Sequence, residues 1–317
     1  MTSGDQLTDA GASGGAQSRA LKLTQGLVPL GRGMLPLLPE RPSRFVIGEV
    51  LGRWPQLWGL SASGARVRGA RRAFELAFPG EDIDALLDSW VLERGRGMAT
   101  SVSYLSRWIR GRRSRLIQPG AEHRFPSGPS VIAFLHYSID PIVQLACISA
   151  AEEDLSVRWP TYPMQSGIED DRELWLAGNE IPPRIVETLL PITDPSWVAV
   201  ACGHLRKGGT VFISIDVPFD ANRRARSSIS VGQARLPMSP SVELFSKIDG
   251  VQLALAWPRP ETRSRWAFDL RPVGGVDELA RQAGAWIEEH HQHWAGWPYL
   301  VWREKAAAMR ENVMALE

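Results

Sequence analysis

The stretch SVIAFL at residues 130–135 sets the framework of the fold. It follows the turn residues Gly128 and Pro129 and stops at His136. A short, nearly continuous apolar run of this kind predicts a strand buried on both faces, as in a parallel sheet. Two more runs have the same form: TVFISI at residues 210–215, which ends at Asp216, and VQLALAW at residues 251–257, which ends at Pro258 and Arg259.

Helical patterns between these runs supply the crossover connections that parallel strands need. The predicted helices cover residues 142–151, 183–190, 195–205 and 241–247. The sequence therefore predicts an α/β fold with a mainly parallel central sheet flanked by helices. Functional groups in such sheets collect at the carboxyl ends of the strands, so His136, Asp216 and Arg259 are expected at one edge.

The chain before the sheet has a different pattern. Apolar residues recur every three or four positions from residue 65 to residue 108, and Pro79-Gly80 interrupts them. This spacing predicts a helical hairpin whose second arm begins with Asp82 or Asp84 as the N-cap. We therefore expect a disordered tail at residues 1–18, a helical region at residues 19–116 and an α/β core at residues 117–317 that is continuous with the helical region.

Charge and cysteine content exclude several classes of protein. The 317 residues include 36 Lys and Arg against 35 Asp and Glu, a net charge of +1 that gives no electrostatic basis for nucleic-acid binding. The two cysteines, Cys147 and Cys202, allow neither a disulfide framework nor a cysteine-rich zinc site, which favours a reducing compartment. No spanning helix or signal peptide is recognisable, so the expected location is cytoplasmic.

His136 and Asp140 form the sharpest candidate constellation. A carboxylate four residues after a histidine can reach the imidazole if the turn is helical, and it would then fix the tautomer of a general base. The alternative is structural, with Asp140 as the N-cap of a helix that starts at Pro141 and His136 as a polar strand end. A second histidine pattern, His290 and His293, is compatible with metal binding but is more typical of a solvated helix end.

Two segments raise the question of a membrane or an acidic partner. Residues 21–38 are apolar but broken by prolines and glycines, so they either pack on the domain or lie at a membrane surface. Residues 107–115, RWIRGRRSR, are rich in arginine. This cluster is either a solvated helix end or a surface that recognises an acidic carrier protein or anionic headgroups.

Five motifs in consecutive order resemble the bacterial lipid A biosynthesis lauroyl/myristoyl acyltransferases, a branch of the lysophospholipid acyltransferase-like superfamily. The resemblance covers about three quarters of the chain. The motifs are RRAFELAFP at residues 71–79, GAEH at residues 120–123 followed by the strand and His136, LRKGGTV at residues 205–211 running on to Asp216, SPSVELFSKIDGVQLALAWP at residues 239–258, and WPYLVWR at residues 297–303.

This resemblance implies transfer of an acyl group from a thioester of acyl carrier protein or coenzyme A to a hydroxyl or amine, on a lipid or a small-molecule acceptor. It implies His136 as general base and requires no cofactor or metal. Asp140 is the expected partner of His136, although the family spaces its histidine and acid one residue further apart. That shorter spacing motivates an alternative, a catalytically degenerate protein that binds acyl chains or a carrier protein. The residues expected to bind substrate are Asp216, Arg158, Arg172 and Arg259.

Overall fold

A computed structural model gives the fold of the chain. It describes residues 39–46, 65–109, 115–139, 141–151, 156–161, 187–192, 194–216, 227–263, 265–298 and 300. The disordered tail expected at residues 1–18, the apolar segment at residues 21–38 and residues 110–114 of the arginine-rich cluster lie outside this range. Arg107, at the start of that cluster, is buried, so it is not available to a lipid surface.

Nine strands are described. They are β1 Ile117–His123, β2 Ser130–Phe134, β3 Val157–Thr161, β4 Leu189–Pro191, β5 Thr210–Ser214, β6 Ser228–Val231, β7 Ala234–Pro237, β8 Gln252–Thr262 and β9 Arg265–Val273. Seven of them form one sheet in the order β1-β9-β8-β2-β5-β3-β4, and β6 and β7 form a separate hairpin. Every neighbouring pair in the large sheet is parallel except β8 and β9. The predicted α/β fold with a mainly parallel sheet is confirmed.

Helices flank this sheet. In the described part of the chain they are α1 Glu40–Phe45, α2 Ala65–Ala77, α3 Ile83–Ile109, α4 Pro141–Ala151, α5 Trp197–Arg206, α6 Pro240–Phe245 and α7 Val276–Glu289, followed by a 3-10 turn at His291–His293. Asp82 accepts a hydrogen bond from the backbone N–H of Ala85 at 3.1 Å and so caps α3. Asp84 instead pairs with Arg71 of α2. Among the described helices, none has both the length and the apolar content needed to cross a bilayer.

The core lies on the two central strands. All five residues of β2 and all five of β5 are buried, which is why each reads as an unbroken apolar run. Phe134 of β2 stacks on Phe212 of β5 with ring centroids 4.3 Å apart. Burial of each such side chain contributes about 1.5–3 kcal/mol. This rigid centre fixes the position of whatever follows the carboxyl ends of β2 and β5.

Two predicted boundaries were wrong. The run expected to end at Trp257 continues to Thr262, because β9 pairs with β8 along its whole length and satisfies the backbone groups that β2 no longer reaches. Residues 189 and 190, expected to close a helix, belong to the edge strand β4, where Leu189 pairs with Trp159 of β3. In both places, hydrogen bonding to a neighbouring strand determines the local structure.

Gly97 of α3 lies directly against the loop that follows β2. A Cβ at this position would lie 2.5 Å from both the Cβ and the carbonyl oxygen of Ser138. Because the clash is with backbone, we expect Gly97→Ala to lower the free energy of unfolding by about 1–3 kcal/mol. Gly203→Ala in α5 is the matched control, since a Cβ there meets nothing within 4 Å. Urea unfolding should show a lower free energy of unfolding for Gly97→Ala and no decrease for Gly203→Ala. Equal stability of the two variants would contradict the packing argument.

Candidate active site

His136 and Asp216 follow neighbouring parallel strands. Phe134 of β2 is in register with Ser214 of β5, and the N–H of Ile215 donates to the carbonyl oxygen of Phe134 at 3.0 Å. His136 and Asp216 each stand two residues beyond that last pair. The register of β2 and β5 therefore brings the two side chains together at the carboxyl edge of the sheet, as expected for functional groups in this architecture.

Two hydrogen bonds join His136 to Asp216. The ring Nδ1 lies 2.7 Å from Oδ1, and the backbone N–H of His136 donates to Oδ2 at 2.8 Å. An ionised carboxylate only accepts hydrogen bonds, so Nδ1 carries the proton and Nε2 is the basic nitrogen of the neutral ring. The side chain of His136 is 28% exposed, whereas that of Asp216 is completely buried. The pair thus combines a buried carboxylate with an imidazole that solvent can reach.

Asp216 is held by two further donors. The indole N–H of Trp294 donates to Oδ2 at 2.7 Å, and the hydroxyl of Ser214 donates to Oδ1 at 3.0 Å. Burial by itself raises the pKa of the Asp216 carboxyl. The charge of His136 and the hydrogen bonds from His136 and Trp294 outweigh burial, so the net pKa lies below its ordinary value. Asp216 is therefore anionic at neutral pH although no water reaches it.

A short segment at residues 293–295, which we call the strap, is bonded to the loop that carries His136. The N–H of Ser138 donates to the carbonyl oxygen of His293, and the N–H of Ala295 donates to that of His136, both at 2.6 Å. The indole N–H of Trp90 in α3 then donates to the strap carbonyl of Trp294 at 2.7 Å. The strap thus fixes the backbone of His136 and Ser138.

Arg94 of α3 holds the same loop from the other direction. Its guanidinium donates to the carbonyl oxygens of Tyr137 and Ser138 at 3.3 and 3.1 Å. Together with Gly97, which lets α3 approach Ser138 closely, Arg94 ties the helical part of the chain to the loop after β2. Both residues contact the loop that carries His136, and through it they help to position the imidazole.

The other residues expected at the site are placed as follows. Asp140 and Arg172 lie outside the described residues. Arg158 of β3 pairs in register with Val211, near the amino end of β5, so the structure does not bring it to the edge where His136 lies. Arg259 lies within β8 rather than at a strand end, and its guanidinium is 3.5 Å from the buried carboxylate of Asp269. Asp216, expected to bind substrate, is instead hydrogen-bonded to the imidazole of His136.

The histidines near the C-terminal end of α7 do not form the solvated helix end that the sequence indicates. His293 is buried, and its ring packs edge-on against Trp266 with centroids 4.8 Å apart. Its Nδ1 has no hydrogen-bond partner, and Glu93 stands 3.9 Å away. No group of three or more potential metal ligands occurs in the described part of the chain.

His293 makes the stability of the protein depend on pH. Desolvation lowers the pKa of this buried imidazole to about 3. The unfolded chain therefore binds a proton near pH 6.5 that the folded chain does not, so stability falls as pH drops below about 6.5. We expect the free energy of unfolding to fall less between pH 7 and pH 5 in His293→Phe, which keeps a ring beside Trp266. Urea titrations at both pH values measure this free energy. An equal fall between pH 7 and pH 5 in the wild type and His293→Phe would contradict the assignment to His293.

Trp294 is a positioning residue for Asp216, and a matched tryptophan tests this. Trp294→Phe removes a donor to the carboxylate, whereas Trp297→Phe removes a donor to the neutral carbonyl of His291 at 2.8 Å, and both indoles are fully buried. Loss of the donor raises the pKa of Asp216 in the folded state. The stability that depends on an ionised Asp216 is then lost at a higher pH during acidification.

We therefore expect the acid unfolding midpoint of Trp294→Phe to move to higher pH than that of Trp297→Phe. We also expect the stability of Trp294→Phe at neutral pH to fall by about 1.5–3 kcal/mol from the lost charged hydrogen bond, in addition to the loss of ring volume that both variants share. Circular dichroism during acid titration measures the midpoints. Coincident midpoints would mean that the indole N–H does not stabilise the charged form.

No family model matches the chain, and no curated protein matches it.

Proposed function

We propose that the protein is an acyltransferase that uses His136 as a general base. It moves an acyl group from a thioester of acyl carrier protein or coenzyme A to a hydroxyl or amine, on a lipid or lipid-like acceptor. The observation that carries the proposal is the pairing of a solvent-accessible imidazole with a fully buried carboxylate, Nδ1 to Oδ1 at 2.7 Å, at the carboxyl edge of a parallel sheet. The five ordered sequence motifs support the choice of acyl transfer as the reaction.

In the proposed reaction each group has its own role. Nε2 of His136 accepts the proton of the acceptor hydroxyl or amine while that oxygen or nitrogen attacks the thioester carbonyl. The C–S bond then breaks, and the imidazolium returns the proton to the departing thiolate, giving an ester or amide and a free thiol. Asp216 keeps the tautomer and stabilises the imidazolium between the two steps. A positioned general base of this kind contributes about 10²–10⁴-fold to the rate.

Asp216 takes the orienting role that the sequence analysis gave to Asp140. The shortened histidine-to-aspartate spacing was the reason to consider a degenerate binding protein. Because Asp216 already accepts the Nδ1 hydrogen bond, the spacing to Asp140 no longer argues for an inactive site. We place the protein in the cytoplasm, with reversible contact to the inner face of the membrane where the acceptor is a lipid.

Mass spectrometry of reaction mixtures tests the proposal. Acyl carrier protein and coenzyme A thioesters of several chain lengths are each offered with a panel of lipid, sugar and amine acceptors. We expect a product heavier than the acceptor by one acyl group, together with one equivalent of free thiol. Saturable binding of the donors with no acylated product from any acceptor would favour the acyl-binding protein. Release of free fatty acid and thiol alone would identify a thioesterase.

A further inference from the structure

A surface cleft separate from His136 lies where α7 meets the antiparallel strands β8 and β9. Its volume is about 480 Å³, within the usual range for small-molecule sites. The side chains that give it chemical character are Trp257, Arg271, Arg281 and Gln282. His136 is not among the lining residues. Between the cleft and the His136 loop stands the buried Trp286, which contacts Tyr137 on one side and Trp257 on the other.

The cleft carries two arginines, and one of them, Arg271, has no acidic partner among the described residues. The guanidinium of Arg271 lies 3.6 Å from the ring centroid of Trp257, and within the described residues no carboxylate pairs with it. Stacking uses the face of the guanidinium and leaves its N–H edge available to a ligand. Among the described residues, no aspartate or glutamate lines the cleft. Arg271 is thus a partly buried cation, pre-oriented by an aromatic ring, with no acidic partner in the described part of the chain.

Arg281 adds a second cation from the facing helix. It is 72% exposed, and it pairs with Glu278 at 3.6 Å, which is beyond hydrogen-bond distance. Glu278 is already engaged, since its two oxygens accept hydrogen bonds from the N–H of Gly274 at 2.6 Å and from Gln282 at 2.9 Å. Because Glu278 serves the start of α7, Arg281 remains able to turn toward an anion in the cleft.

We infer that this cleft binds the phosphate group of a phosphate ester, held between Arg271 and Arg281. Guanidinium groups match the geometry of phosphate oxygens through paired N–H donors. Pro272 and Ala285 on the rim provide small apolar surfaces for the organic part of the ester. The phosphate can come from a soluble ester or from a lipid headgroup, and both sources share this chemistry. The inference does not depend on acyl transfer at His136.

Isothermal titration calorimetry of the full chain at low salt tests phosphate binding in the cleft, with inorganic pyrophosphate and coenzyme A as probes. We expect Arg281→Gln and Arg271→Met to weaken binding of pyrophosphate at least about tenfold each, the loss that corresponds to one charge-assisted hydrogen bond of about 1.4 kcal/mol. Arg271→Met keeps an unbranched side chain over Trp257. Arg206→Gln is the control, because Arg206 is an exposed arginine of α5 that does not line the cleft, and it should bind as the wild type does.

The source of the phosphate is distinguished by flotation with phosphatidylglycerol and phosphatidylcholine vesicles. Coenzyme A binding that depends on Arg271 and Arg281, without vesicle binding, indicates a soluble ester. Vesicle binding that depends on the same arginines indicates a lipid headgroup. The inference is overturned if the wild type binds neither pyrophosphate nor vesicles, or if Arg206→Gln weakens binding as much as Arg281→Gln does. Arg281 is exposed, so its variant remains informative even if Arg271→Met folds poorly.

Discussion

Asp216→Asn should lower acyl-transfer turnover by about 10⁴-fold, the effect expected when a buried carboxylate no longer fixes the tautomer of a general base. In the wild type Oδ1 accepts from Nδ1 of His136, and Nε2 is left as the basic nitrogen. An amide –NH₂ at that place donates instead of accepting. Nδ1 must then be the acceptor, which puts the ring proton on Nε2 and removes the base.

The same substitution should leave the fold nearly unchanged. The carbonyl oxygen of the amide can replace Oδ2, which accepts from the backbone N–H of His136 and the indole of Trp294. The amide –NH₂ then faces Nδ1 and the hydroxyl of Ser214, and that hydroxyl can rotate from donor to acceptor. Each polar atom around position 216 keeps a partner. Turnover and urea unfolding measured on the same preparation separate the loss of the base from loss of structure.

Asp140→Asn is the matched comparison, because it changes the acid nearest to His136 in sequence. Since Asp216 already accepts the hydrogen bond from Nδ1 of His136, we expect Asp140→Asn to lower turnover far less than Asp216→Asn. The reverse order would show that Asp140 orients the imidazole in the working enzyme, as the sequence pattern indicates. Equal and small effects of the two variants would mean that neither carboxylate is needed to orient His136.

The difference between Asp140 and Asp216 shows what a sequence pattern can and cannot predict about this site. His136 was predictable, because an apolar run ending in a polar residue marks the end of a buried strand. For its partner the sequence pattern points to Asp140, four positions away, since local spacing is the distance that a sequence displays. The contact with Asp216 depends on the register of β2 and β5, which joins residues 80 positions apart.

The two side chains that donate hydrogen bonds to Asp216 besides His136 also differ in how far the sequence predicts them. Ser214 precedes Asp216 by two residues, and side chains two apart along a strand lie on one face, so its contact was open to inference. Nothing local marks Trp294. The sequence contains 13 tryptophans, and the strap that carries Trp294 reaches the site only after α7 has packed on the sheet. A long connection that returns to a strand end leaves no period or motif in the sequence.

Position 136 carries the second large effect. His136→Ala should lower acyl-transfer turnover by about 10⁴-fold, the upper end of what a positioned general base contributes, because no base remains to take the acceptor proton. His204→Ala is the matched control, since His204 lies on α5 and its ring bonds to the backbone oxygen of Ser156, away from the His136 loop. We expect the control to turn over as the wild type does. Near-normal turnover in His136→Ala would show that this imidazole is not the base.

Removing the imidazole also tests whether the His136 and Asp216 side chains act as one unit. Asp216 would lose the donor at Nδ1 but keep the backbone N–H at position 136, the indole of Trp294 and the hydroxyl of Ser214, so we expect a folded protein with a lowered melting temperature.

Groups that act together lose their whole contribution when either is removed. The double variant His136→Ala/Asp216→Asn should therefore be no slower than His136→Ala alone. Rate losses that multiply would mean that Asp216 contributes to catalysis by a route that does not pass through the imidazole.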